Sequence, residues 1–143
     1  MDPILFVATK AFIVFGGKVL ILRESNKYDD GTNASKYDVV GGRLKPGQRF
    51  DESLVREIME ETGLTVKIGR PFHVGEWRPV VKGVQWQVVG TFFECFAETD
   101  VVKLSVDHDD YRWIDPSDFS KYPMIENLKS AFENYNKLTI LSK

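Results

Sequence analysis

The chain is expected to fold as an α/β protein in which a mixed β-sheet lies between helices. Three observations predict this. Apolar runs flank two glycine-containing turns, Gly16-Gly17 and Lys82-Gly83, as β-hairpins do. A charged helix, closed by Gly63, sits in the middle of the chain. A second helical pattern ends it, with Ile125, Leu128, Ala131, Phe132 and Tyr135 recurring at i, i+3 and i+4. Strands followed by helices that each bury one face form layers around a shared core.

Taken in order, Ile4 to Phe15 is an apolar, β-branched and aromatic run. After Gly16-Gly17, Lys18 to Arg23 returns as its hairpin partner. Glu24 to Ser35 is polar and carries Asn, Asp and Gly, the chemistry of a loop, either a flap beside a site or a surface connection. Tyr37-Asp38-Val39-Val40 leads into Gly41-Gly42, where missing side chains let backbone approach a ligand closely. Pro46-Gly47 adds a turn, and Asp51 is a candidate N-cap for the central helix. Thr65 to Ile68 reads as a short strand and Pro71 to Val81 as a longer one. Beyond Lys82-Gly83, Val84 to Phe96 returns, with partial alternation that suits a strand covered on both faces. Asp115-Pro116 opens a turn or short helical stretch through Phe119, and the terminal helix is expected over Met124 to Tyr135.

The central helix carries the chemistry. Glu57, Glu60 and Glu61 stand at i, i+3 and i+4, and at about 100° per residue they share one face with Ser53. Val55, Ile58 and Met59 point the other way and are expected to be buried, with Leu54 at the edge. Carboxylates gathered in this way repel by a few tenths of a kcal/mol per pair. A divalent cation removes that penalty, and an all-oxygen donor set favours Mg²⁺ or Mn²⁺ over zinc. Arg56 can orient a carboxylate through its rigid fork of donors. Taken alone, such a cluster reads more readily as a solvated charged helix face.

The spacing carries more. Residues 42–64, GRLKPGQRFDESLVREIMEETGL, resemble the Nudix box of the MutT-like hydrolases: G, five residues, E, seven residues, then R-E-U-x-E-E-x-G-U with U aliphatic. Gly42, Arg56, Glu57, Ile58, Glu60, Glu61, Gly63 and Leu64 fall where that pattern requires, while Gln48 replaces its first glutamate. An amide there keeps the shape and hydrogen bonding of the carboxylate and loses its charge. Tyr37 and Val40 replace the Trp and Pro of the family's W-x-x-P-G-G text. The resemblance implies a single domain over residues 1–143, an α/β/α sandwich with the box as loop, helix and loop. It implies metal ligation by Glu57, Glu60, Glu61 and the Gly41 carbonyl, with Glu57 or Glu61 as general base and Arg56 as the brace of a box glutamate. Val106 to Ile114 resembles the family's S-x-E-H-x-x-x-x-W-V text, so Asp107, and Asp109 nearby, are further candidates for base or metal ligand. Arg23, ending a strand where the family often has a basic residue, is a candidate phosphate contact.

The implied activity is Mg²⁺-dependent hydrolysis of nucleoside diphosphate-linked compounds, foremost (d)NTPs to a nucleoside monophosphate and pyrophosphate, with oxidised purine nucleotides among the substrates to test. The alternatives are a diphosphatase of ADP-ribose or dinucleotides, and a nucleotide-binding module with a degenerate box.

Composition narrows the partners. The chain is 43% hydrophobic and 28% charged with net charge −2, so it has no general basic field for a stable nucleic-acid complex. No apolar run approaches the roughly 20 residues that span a bilayer. The start of the chain lacks a secretory signature, and the one cysteine, Cys95, excludes an internal disulfide. A cytoplasmic protein acting on a small nucleotide is expected, as monomer or homodimer. Cys95 lies in an apolar run and reads as a buried thiol. His108 reads as a hydrogen-bonded structural residue, and Trp77, Trp86, Phe92 and Phe93 as core or sheet surface, with one or two able to stack on a base.

Overall fold

A computed structural model describes residues 2–25 and 35–141. The first hairpin forms as expected, β1 (Ile4–Phe15) and β2 (Lys18–Glu24) joined at Gly16 and Gly17, both in the left-handed region that this tight turn demands. The two strands pair only beside their turn, at Val14↔Val19 and Phe15↔Lys18. Beyond it they diverge, and the segment 37–43 enters the gap. Its first part, β3 (Tyr37–Asp38), pairs with β2, and its last part, β4 (Gly41–Arg43), pairs with β1. Between them the Ala11 N–H donates to the Val40 carbonyl at 2.8 Å. This wedge carries the glycine pair from one strand to the other and delivers it to α1 (Phe50–Thr62).

The remaining strands are β5 (Val66–Trp77), β6 (Val80–Val81), β7 (Val84–Ala97) and β8 (His108–Ile114). The main sheet runs β3-β2-β1-β7-β5, with β8 on β2. β1 and β7 are parallel from Ile4↔Trp86 to Val14↔Phe96, and the other pairings are antiparallel, so the sheet is mixed. The strands expected over Thr65 to Ile68 and Pro71 to Val81 are in fact one strand, β5. Register shifts around Pro71 absorb the proline, which cannot donate to the ladder. The remainder is the short β6, turned back at Lys82 and Gly83, both left-handed.

Period-two alternation assigns the two faces. Ala11, Ile13, Leu20 and Leu22 pack with Leu54 and Ile58 of α1, whereas Phe12, Val19 and Ile21 pack with Leu128, Ala131, Phe132 and Tyr135 of α2 (Asn127–Leu141). The sheet therefore lies between two helices. A 3₁₀ helix at Pro116–Lys121, capped by Asp115 accepting from the Ser117 N–H at 2.9 Å, precedes α2. The terminal helix starts later than its periodicity suggested. Met124 and Ile125 are buried as extended backbone tied to β3, the Tyr37 N–H donating to Pro123 O and the Ile125 N–H to Tyr37 O. Cys95 is buried and free, its thiol pushed up to about 12 by burial, so it is inert packing. The loop read over Glu24 to Ser35 falls mostly on residues 26–34, outside the described residues. Among the described residues no helix is long and apolar enough to cross a membrane.

The central helix departs from expectation in two ways. It begins at Phe50, with Arg49 at the N-cap and no side-chain cap; Asp51 is the second helical residue, accepting from the Glu52 N–H at 2.9 Å and pairing with Arg49. Its buried face is Ser53, Leu54, Ile58 and Thr62, while Val55 (37%) and Met59 (46%) are exposed. The helix rests on the sheet through the face next to its glutamates. Full burial of Leu54 and Ile58 stabilises this docking by about 2 kcal/mol each.

Candidate active site

Docking on that face half-buries Glu57 and Glu61 and brings the Glu57 carboxylate against Gly42. β4 lies antiparallel on β1, with Lys10 opposite Gly41 and Thr9 opposite Gly42. A Cβ on Gly41 would stand 2.3 Å from the Thr9 carbonyl oxygen and 2.8 Å from Lys10 Cα. One on Gly42 would meet the two Glu57 carboxylate oxygens at 2.9 and 3.1 Å. The first glycine lets the segment seat on β1, and the second leaves room for the Glu57 carboxylate. At the far end, Gly63 closes α1 in the left-handed conformation (φ 71°), its N–H donating to Met59 O at 2.9 Å.

The three box glutamates are not equivalent. Glu57 and Glu61 are half-buried, whereas Glu60 is 64% exposed and lies 3.6 Å from the Arg56 guanidinium. Burial raises the Glu57 pKa, with the charge of Glu60 adding and Arg56 and Lys10 opposing. Burial, then the charge of Glu57, pushes Glu61 up to about 7; Asp107 and Asp38 add to this and Lys10 opposes it. Two desolvated carboxylates that resist sharing negative charge form a site that takes up a proton or a cation.

Lys10 supplies part of that positive charge. It is 7% exposed, and its Nζ lies 2.9 Å from Asp38 Oδ2, while Asp38 Oδ1 accepts from the Val39 N–H at 2.7 Å. Sequence analysis singled out neither residue. The available signal was a lone lysine inside the apolar run Ile4 to Phe15, since a buried charge needs a partner.

The other candidates lie around this centre. Asp107 is exposed, and its carbonyl accepts from the Ser25 N–H at 2.9 Å. Arg23 donates to Asp109 Oδ1 at 2.7 Å, which keeps the Arg23 guanidinium protonated and couples the two. The Gln48 amide oxygen accepts from the Lys45 N–H at 3.1 Å, and the Gln48 backbone N–H donates to Lys45 O at 3.1 Å, so this residue braces the loop before α1. The His108 Nδ1 is enclosed without a partner among the described residues, and burial lowers the pKa of the ring. Phe92 and Phe93 are core, and Trp77 and Trp86 are half-buried, the latter under the Arg43 guanidinium at 4.4 Å.

Among the described residues no three His, Cys, Asp or Glu side chains are already gathered to hold a metal ion. Glu57 and Glu61 are together, and Glu60 has only to turn from an ion pair exposed on both sides, which is worth at most about 1 kcal/mol. An oxygen-only, charge-stressed donor set of this kind fits a hard divalent cation.

Comparison with known proteins identifies the class, a hydrolase of phosphoanhydride bonds. Residues 5–135 match the NUDIX domain, and the chain belongs to the Nudix family, whose members generally use divalent metal ions. Among relatives, the nucleoside triphosphatase NudI of Escherichia coli K12 is 26% identical over 106 residues, covering 67% of this chain and 73% of that protein. Among solved structures, the MutT protein of Methanosarcina mazei superposes with TM-score 0.83 at 25% identity, covering 97% of this chain and 98% of that one. A C. elegans Ap4A hydrolase shares the fold at TM-score 0.68 and 18% identity, over 96% and 98% of the two chains.

Proposed function

We propose that the chain is a Mg²⁺- or Mn²⁺-dependent nucleoside triphosphate pyrophosphohydrolase that releases a nucleoside monophosphate and pyrophosphate. The observation that carries this reading is the half-buried pair of Glu57 and Glu61 on the box helix, with the Glu57 carboxylate against Gly42. The nucleoside triphosphatase relative supports the substrate class.

Glu57, Glu60, Glu61 and the Gly41 carbonyl are the groups that would hold the cation. When bound, it supplies charge neutralisation at the phosphate oxygens and an acidified water. Glu57 or Glu61 would accept the proton of the attacking water, with Asp107 on the rim as a further acceptor. Arg56 acts as a positioning residue on Glu60. Arg23, held by Asp109, would be a phosphate contact. Water attacks phosphorus, the bridging P–O bond breaks, and the leaving oxygen departs with the pyrophosphate.

Product analysis tests this. (d)NTPs, oxidised dGTP, ADP-ribose and dinucleotides are incubated with Mg²⁺ or with chelator, using wild type and Glu57→Gln. Pyrophosphate release from triphosphates, lost with chelator and in the variant, is expected. Turnover confined to ADP-ribose or dinucleotides, giving two monophosphate esters, would replace the reading with a diphosphatase. Binding without turnover across the panel would overturn it.

A further inference from the structure

We propose that the part of the sheet left bare beside α1 is the interface of a symmetric homodimer, in which the β5 edge of one copy seats on the loop 44–48 of the other.

Side-chain alternation puts Leu5, Val7, Ala11 and Ile13 of β1 on one face of the sheet. α1 covers one end of that face, where Leu54 and Ile58 pack with Ala11 and Ile13. It does not cover the other end, where Leu5 is 62% and Val7 52% exposed. The bare surface continues across the ladder. Val7 lies opposite Val89 of β7, and Val89 lies opposite Glu76 of β5. Val74, two residues before Glu76 and therefore on the same face, is 63% exposed. Aliphatic side chains this exposed, gathered on one sheet face, mark a contact surface.

The two margins of the face complement each other. The β1 margin is a hollow of about 620 Å³, lined by Leu5, Val7, Leu44, Lys45 and Pro46 among others. The β5 margin is the last strand of the main sheet and presents Val74 and Glu76. The Glu76 carboxylate is fixed there, accepting from Arg78 at 2.8 Å and from Gln87 at 3.3 Å. A hollow with a lysine thus lies at one margin, and a projecting valine with a carboxylate at the other.

A second copy of the chain fits this surface. In a two-fold dimer one surface must be its own complement. Two sheets stacked face to face keep their strands aligned within about 30°. A two-fold axis along the strands, between the stacked faces and midway from β1 to β7, sets each margin on the opposite margin of the other copy. The levels agree. Leu44 is level with Val7, its N–H donating to Val7 O at 2.7 Å, and Glu76 is level with Val7 through Val89. Glu76 of one copy therefore comes over Leu44 and Lys45 of the other, with Val74 beside the hollow. An axis across the strands would instead set the two β5 edges on each other and leave both hollows unfilled.

Sedimentation equilibrium of the full chain, over a concentration series through the micromolar range, tests this. The wild type should be dimeric. Val7→Lys and Val74→Lys should each weaken the dimer by roughly tenfold or more, with an unchanged urea midpoint, because both side chains are exposed in the single chain. Lys45→Glu and Glu76→Lys should each weaken it as well, by like-charge contact. An equimolar mixture of those two variants should recover the dimer, since the heterodimer again sets opposite charges together at both contacts. A wild type that stays monomeric throughout would overturn the proposal. A dimer indifferent to Val7→Lys and Val74→Lys would do the same, by placing the contact on another face. Charge reversals that weaken the dimer and are not rescued on mixing would reject the axis, and with it the proposed seating.

Discussion

Replacing Glu61 by glutamine should stabilise the metal-free protein while disabling it, and the gain should depend on pH. The folded chain raises the Glu61 carboxyl from an ordinary 4.5 to about 7, first by burial and then through the charge of Glu57. A raised carboxyl pKa means that the fold prefers the protonated form. The associated stability is fully present below pH 4.5 and is lost as pH rises through about 7. A shift of that size corresponds to about 3 kcal/mol; with allowance for partial solvent access, about 2 kcal/mol is expected. The amide of Glu61→Gln has no charge to bury, so the variant and wild type should be nearly equal at pH 4.5. At pH 8 the variant should be more stable by about 2 kcal/mol, or roughly 6 °C in Tm for a chain of this size. Urea and thermal unfolding in chelator at both pH values measure this. Adding Mg²⁺ at pH 8 should narrow the gap, since a cation at the cluster stabilises wild type more than the variant. A gap that is the same at both pH values, or a variant less stable at pH 8, would refute the argument that Glu61 is held in a desolvated, like-charged setting.

Three further perturbations follow from the same geometry. Gly42→Ala places a methyl 2.9 and 3.1 Å from the Glu57 carboxylate oxygens and should cut turnover by about 10–100-fold, while urea unfolding shifts by less than about 1 kcal/mol. Lys10→Met leaves Asp38 without its buried partner and should cost about 2–3 kcal/mol in urea unfolding. It should also move the Glu61 titration, followed by carboxyl NMR, to still higher pH. Gln48→Glu retains the acceptor that the Lys45 N–H uses and should leave kcat within a few-fold, whereas Gln48→Ala should lower stability by about 1 kcal/mol and loosen the loop, read as faster amide exchange at Lys45.

Much of the molecule was legible before any coordinates. The apolar, β-branched runs Ile4 to Phe15 and Lys18 to Arg23 specified strands, and Gly16-Gly17 specified their turn, because strand composition and left-handed backbone are local properties. The spacing of Glu57, Glu60 and Glu61 likewise put the carboxylates on one helix face. Spacing is silent on which face of a helix meets the sheet. Docking through Ser53, Leu54, Ile58 and Thr62 exposed Val55 and Met59, buried Glu57 and Glu61 halfway, and left Glu60 to Arg56. The merger of two expected strands into β5 also needed its partner, since only the ladder with β7 carries the chain past Pro71. Lys10, Asp38, Trp77 and Asn127 lie far apart along the chain and become neighbours around one cleft only in the assembled fold. The sequence by itself determined the element types and the chemistry of the box. Tertiary packing alone decided which groups lose water and which distant residues become neighbours, because desolvation and long-range contact belong to the assembled layers and not to any one stretch of chain.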